Sequence, residues 1–157
     1  MQHSIVCGVD GSTSSRSAAQ VAARLARTLD LRLVLAYATE NRPTFPYRDP
    51  RLGELQRRRA IEDGQRLLEA VAAELPGVVP ETRVVFAPPV EGLHDLGAGE
   101  GAELMIVGSR GRGRLSAALL GSVSRRLAST ADCPVLVVPG PEAAERFLER
   151  DLLAAGT

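Results

Sequence analysis

The chain of 157 residues contains no lysine, and all 19 of its basic residues are arginine. Two chemistries are excluded at once. A Walker-type phosphate loop needs its lysine to reach the outer phosphates, and Schiff-base catalysis needs a lysine amine. Cysteine is scarce as well. Cys7 and Cys133 are too far apart for a CxxC redox or zinc pattern, and they read as core thiols that do not pair. There is no excess of either charge: 19 acidic residues balance the 19 basic ones, with a pI near 6.7. Such a chain has no net field to draw nucleic acid or an anionic membrane surface. No apolar run approaches the roughly 18 residues that span a bilayer. The first ten residues carry neither a basic leader nor a cleavable apolar stretch. The expectation is a cytoplasmic protein with no nucleic-acid and no membrane partner.

A hydrophobic content of 45% is enough for one core. Strand and helix signals then alternate. Ser4 to Val9 is a short apolar run that ends at Asp10-Gly11. Residues Ser12 to Asp30 place Ala18, Val21, Ala22, Leu25 and Leu29 at helical spacing. Arg32 to Ala38 reads as a second strand, and Thr39 to Pro50 as a proline-rich loop. Arg51 to Leu75 reads as a long polar helix stopped by Pro76-Gly77. Glu81 to Ala87 follows as a third strand, and Val90 to Gly99 as a short helix weakened by three glycines. Leu104 to Val107 makes a fourth strand, Ser116 to Ala131 a last core helix, and Pro134 to Val138 a fifth strand.

Strands that are apolar on both faces and separated by helices imply a doubly wound α/β fold. It is a five-stranded parallel sheet of order 3-2-1-4-5 with helices on both faces. One domain is expected over residues 1–139. Residues 140–157 form a tail, in which Pro141 to Leu153 has the pattern of a short amphipathic helix that packs either on its own domain or on a partner subunit. In such a sheet, ligands bind beyond the carboxyl ends of the strands where the winding reverses. The places to inspect are therefore Asp10-Gly11 and the segment from Gly108.

That segment runs Gly108-Ser109-Arg110-Gly111-Arg112-Gly113-Arg114, and Gly121-Ser122-Val123-Ser124 follows at a spacing of G-x2-G-x9-G-S. Gly108 and Gly111 allow a sharp turn with amides facing outward and no Cβ in a ligand's way. Gly121 interrupts an apolar helical pattern, which makes sense if a helix starts afresh there. Ser122 and Ser124 would then set hydroxyls beside the amides of a helix N-terminus, an anion site. Arg110, Arg112 and Arg114 carry guanidinium forks suited to phosphate oxygens.

The G-x2-G-x9-G-S spacing, the stretches VGSRG and LLGSVS, the opening VDGS (residues 9–12) and the closing CPVLVVP (residues 133–139) together resemble the universal stress protein family, over roughly Ile5 to Pro139. The resemblance implies the ATP-binding branch. It implies that Asp10 contacts ribose, phosphate or a bound Mg²⁺, with Gly8 close beneath it. Adenine would meet backbone near Ala36. The triphosphate would lie along Gly108 to Arg114 and on Ser122, Val123 and Ser124. Ala36-Tyr37 departs from the His-Val pair that members often carry. The resemblance also points to a homodimer through strand 134–138.

Other motifs carry less. Gly97-Ala98-Gly99 with Ala102 formally satisfies a dinucleotide fingerprint, but it precedes a strand where the fingerprint must follow one. His94-Asp95 has no nucleophile elbow or metal-spaced ligand set beside it. The expectation is a regulatory ATP-binding module. Its alternatives are a slow ATPase or nucleotidyl-transfer enzyme, and a nucleotide-free dimeric scaffold. Binding is favoured over turnover because Asp10 is the only evident base near the motif and no lysine stands by to stabilise a transferring phosphoryl group.

Overall fold

A computed structural model describes residues 3–40, 49–111 and 120–154. Five strands alternate with five helices: β1 (Ser4–Gly8), α1 (Thr13–Leu29), β2 (Arg32–Thr39), α2 (Pro50–Ala73), β3 (Glu81–Phe86), α3 (Pro89–Gly99), β4 (Ala102–Gly108), α4 (Ser122–Thr130), β5 (Val135–Val138) and α5 (Pro141–Ala154). The sheet is parallel throughout, in the order β3-β2-β1-β4-β5. The expected fold class and strand order therefore hold.

Alternation along each strand builds two cores. Ile5, Cys7, Leu33, Leu35 and Ile106 face α1 and α2, where they meet Ala18, Ala22, Leu68 and Val71. Val6, Val34, Ala36, Met105 and Val107 face the other way, against Val90, Leu93 and Leu127. Each valine, leucine, isoleucine or methionine side chain removed from water here contributes roughly 1.5 to 3 kcal/mol. The register sets Gly8 opposite Ala36, and Gly108 opposite Val138, so the carboxyl ends of the inner strands finish near one another. This shared edge is where the chain turns from β1 into α1 and from β4 toward α4.

Helix α3 exists despite its three glycines because two of them let it sit close on the sheet. A Cβ at Gly92 would lie 2.9 Å from Val85 Cγ1, and one at Gly97 would lie 2.9 Å from Met105 Cε. The last core helix starts afresh after Gly121, as the interrupted pattern suggested, and so is shorter than the span from Ser116 to Ala131. It begins at Ser122 rather than Ser116, and Ser116 to Leu119 lie outside the described residues. The proline-rich loop also falls largely outside them (residues 41–48). On its far side, Asp49 caps α2 by accepting the Arg51 amide at 2.9 Å.

The tail helix α5 docks on α1 of its own domain, with Ala144 buried in the shared core. Packing on its own domain is one of the two alternatives the sequence left open. Cys7 is fully buried, and desolvation pushes its thiol up to about 12. Cys133 is only half-buried, just ahead of β5, so it is not the core thiol the sequence suggested. Neither cysteine is in a disulfide, and β4 lies between β1, which carries Cys7, and β5, which Cys133 precedes.

At the opposite, amino-terminal end of the sheet, two arginines and two glutamates form a closed ring. Arg32 reaches Glu81 at 2.8 Å and Glu100 at 3.1 Å, while Arg83 reaches Glu81 at 2.7 Å and Glu100 at 3.0 Å. The guanidiniums of Arg83 and then Arg32 hold the Glu81 carboxyl below its ordinary value. Among the described residues, no helix is long and apolar enough to cross a membrane.

Candidate functional site

A cavity of about 340 Å³ opens beyond the carboxyl ends of β1, β2 and β4, where the winding reverses. Its volume is within the roughly 300 to 1,000 Å³ of small-molecule sites. One end is an apolar slot walled by Ala36, Ala38, Pro89, Leu93 and Val107. The other is polar, formed by Asp10, Ser15, Ser109, Arg110 and Gly111 with Gly121 to Ser124.

The turn after β1 builds one side of the polar end. Gly11 has φ +84°, a left-handed conformation that favours glycine, and it turns the chain into α1. Ser12 caps α1 by accepting the Ser15 amide at 3.2 Å, while Asp10 Oδ1 accepts the Ser12 amide at 2.9 Å. The Asp10 carboxylate is thereby fixed at the cavity mouth. The loop after β4 builds the floor. Ser109 donates its amide to the Val138 carbonyl and its hydroxyl to the Pro139 carbonyl, both at 2.9 Å.

Helix α4 closes the far side. Its N-cap is Gly121, which has no side chain to cap it. The first amides of a helix, here those of Ser122, Val123 and Ser124, have no intrahelical acceptor, and the helix dipole adds partial positive charge beside them. An uncapped helix start on a cavity is suited to an anion such as phosphate. The walls are tied together on the outside, where Arg126 of α4 reaches Glu91 of α3 at 3.0 Å. Glu91's own backbone amide and then that guanidinium hold its carboxyl below its ordinary value.

The glycines behave differently from the sequence reading. None of Gly108, Gly111 or Gly121 has a positive φ, so conformational freedom is not what they supply. They supply closeness. A Cβ at Gly108 would lie 2.7 Å from both Ser14 C and Ser15 N, one at Gly111 would lie 2.9 Å from Asp10 Oδ2, and one at Gly121 would lie 3.2 Å from the Ser109 carbonyl oxygen. Gly8 lines the cavity, with the place of its missing side chain filled by Leu93 and Val107.

Ser124 also corrects the expectation. Its buried hydroxyl turns inward, 3.2 Å from the Ser109 carbonyl and 3.0 Å from that of Gly121, which leaves its amide rather than its hydroxyl for a ligand. Ala36 belongs to the apolar wall, and its carbonyl already accepts the Val9 amide at 2.8 Å. Arg110 lines the cavity, while Arg112, Gly113 and Arg114 lie outside the described residues.

The sequence pattern of the universal stress protein family matches residues 1–139. The chain belongs to the universal stress protein family. A universal stress protein of Thermus aquaticus is 33% identical over 139 residues, covering 88% of this chain and 99% of its own length. One from Mycolicibacterium smegmatis is 34% identical over 149 residues, covering 91% of this chain, but this chain spans only 50% of that relative's length. Among solved structures, a universal stress protein in complex with cAMP superposes with a TM-score of 0.61 at 26% identity, over 87% of this chain and 97% of that one.

Six wall residues of this universal stress protein were not singled out from its sequence: Val9, Ser15, Ala38, Pro89, Leu93 and Val107. Ala38 had a signal, since it lies two positions beyond Ala36 and so on the same face of β2. Leu93 and Pro89 had none, because they reach the cavity only through the docking of α3.

Metal binding fits in one way. Among the described residues, no three or more His, Cys, Asp or Glu side chains gather to hold an ion. Asp10 is the one acid among the described cavity residues. A single carboxylate completed by phosphate oxygens and water is a ligand set that suits Mg²⁺, so the ion would arrive with a nucleotide.

Proposed function

We propose that this universal stress protein is a regulatory module that binds ATP in the cavity between β1 and β4. The observation that carries the reading is the uncapped start of α4 facing the glycine loop at the polar end of an apolar slot. The slot takes a purine ring by burying its faces, and the amides of Ser122 to Ser124, with Arg110, take phosphates. Asp10 would hold Mg²⁺ against those phosphates, and the ion would neutralise the repulsion between carboxylate and nucleotide. The cAMP complex of the 26% identical relative supports an adenine nucleotide.

Binding rather than turnover is the function we assign. The Asp10 carboxylate is anchored on the Ser12 amide, and lysine is absent from the chain. A ligand touching α1, the β4 loop and α4 joins three elements, and the surface they form is what a partner protein would read. The proposed place of action is the cytoplasm. Calorimetry with ATP, together with identification of small molecules released when the purified protein is denatured, tests the proposal. No heat with ATP up to millimolar concentration and no released nucleotide would overturn it.

We also infer a homodimer through β5. Among the described residues this strand lies at the sheet edge beside β4 alone, α5 packs on α1, and Leu136 is 38% exposed. A bare apolar edge invites a second strand, and self-pairing closes it with two-fold symmetry. Light scattering should report a dimer that Leu136→Arg converts to monomer, and a monomeric parent protein at micromolar concentration would refute the pairing.

A further inference from the structure

The nucleotide reading leaves the serines at the start of α1 without a role. Two of them reach across to the loop after β4. The Ser12 hydroxyl donates to the Arg110 carbonyl at 3.1 Å, and the Ser14 hydroxyl donates to the same carbonyl while accepting the Arg110 amide at 3.3 Å. Ser14 therefore grips both backbone groups of one residue, and it is almost fully buried. On the other side, the Ser109 carbonyl accepts the Gly121 amide at 2.7 Å.

A trans peptide is planar, with its N–H opposite to its C=O. The Ser109 carbonyl points to the start of α4, so the Arg110 amide must point back toward α1, where Ser14 receives it. The Arg110 carbonyl points to α1, so the Gly111 amide must point away from α1. The cavity and α4 are on that side, and the backbone nitrogen of Gly111 lies close to the α4 cap, 3.8 Å from where a Gly121 Cβ would be. Two successive peptide planes are thus held in opposite senses by donors on two helices.

We propose that Ser14, assisted by Ser12, is a positioning residue for phosphate. By holding the Arg110 carbonyl out of the cavity, it aims the Gly111 amide into the cavity beside the first amides of α4, so that the loop and the helix start act as one anion nest. The inference rests on the nucleotide reading and deepens it. Without the Ser14 hydroxyl, the Arg110–Gly111 peptide can rotate and present a carbonyl oxygen to the phosphates, an acceptor facing an anion.

The test is the ratio of ATP affinity to adenosine affinity, measured by calorimetry on the parent protein, Ser14→Ala, Ser12→Ala and Ser17→Ala. Ser17 is the matched control. It is a buried serine of the same helix whose hydroxyl donates to the Thr13 carbonyl within α1. Ser14→Ala should weaken ATP about five- to tenfold while adenosine stays within about twofold, as expected from losing one or two hydrogen bonds that act only on the phosphate end. Ser17→Ala should leave the ratio unchanged. Ser12→Ala should lower the melting temperature through its lost cap and also lower the ratio, and it carries the test should Ser14→Ala not fold. An unchanged ratio in folded variants of a parent protein that binds ATP overturns this inference alone. Equal loss for ATP and adenosine does the same, because a merely structural serine would give it. A parent protein that binds neither ligand overturns the nucleotide reading and this inference with it.

Discussion

Adding one methyl group at three glycines should have three different consequences. At Gly108, the new Cβ would lie 2.7 Å from Ser14 C and Ser15 N, both backbone atoms of the first turn of α1. A helix backbone cannot step aside as a side chain can, so α1 must shift as a unit. Overpacking typically costs 1 to 3 kcal/mol. Contact with backbone puts Gly108→Ala at roughly 2 to 3 kcal/mol, and at about 2 to 4 °C per kcal/mol for a chain of this size the melting temperature should fall about 4 to 12 °C. Gly53 is the opposite case: it lies in α2, and among the described residues nothing comes within 4 Å of an added Cβ. There alanine gains about 1 kcal/mol of helix propensity, and Gly53→Ala should raise the melting temperature by about 2 to 4 °C. Gly111 lies between them. Among the described residues the nearest atom is the far end of the Asp10 side chain, at 2.9 Å, which can swing away only by loosening its hydrogen bond from the Ser12 amide. Gly111→Ala should melt close to the parent protein but bind ATP at least about tenfold more weakly, because the swing displaces the carboxylate and crowds the loop. Thermal unfolding followed by circular dichroism, with calorimetry for ATP, reads all three. If Gly108→Ala and Gly53→Ala shift the melting temperature by equal amounts in the same direction, the close approach of α1 to β4 is wrong.

Asp10→Ala should reduce ATP affinity more with Mg²⁺ present than with EDTA, since the carboxylate acts through the cation. The same loss in both conditions would place Asp10 on the sugar or the turn alone. In the native protein a thiol reagent should modify half-buried Cys133 and leave Cys7 unmodified, because burial pushes the Cys7 thiol up to about 12. Unfolding without reductant should then expose a second free thiol, and finding an intramolecular disulfide instead would contradict the strand order. The Glu81 carboxyl is held below its ordinary value of 4.5 by Arg83 and Arg32. A lowered folded value means that its stabilisation is present above pH 4.5 and is lost as pH falls through the lower folded value. Urea unfolding at a series of pH values should show Glu81→Gln with a flatter acid dependence than the parent, and parallel curves would remove the ring from the account.

The residues themselves determined the alternation of strands and helices, because buried parallel strands must be apolar on both faces and helices must carry one apolar stripe. The strand order followed from the same logic, and so did the place of the cavity: Asp10-Gly11 and the Gly108 loop end strands that flank the reversal. The glycine spacing falls on the wall of the cavity, but the described glycines serve a different physical purpose from the one the spacing suggested. At Gly108 the sequence suggested open space for a ligand, whereas that space is taken by α1, and at Gly121, read only as a fresh helix start, the space is taken by the Ser109 carbonyl. Single-residue patterns cannot show which neighbour occupies the volume a side chain would fill. The same limit hid Leu93 and Pro89, which enter the cavity wall only when α3 docks, and it made the Ser124 hydroxyl look available when it faces the Ser109 carbonyl. Ser12 and Ser14 were legible as the start of a helix and nothing more. Their grip on Arg110 joins residues 96 and 98 positions apart, and only the pairing of β1 with β4 brings those two turns together.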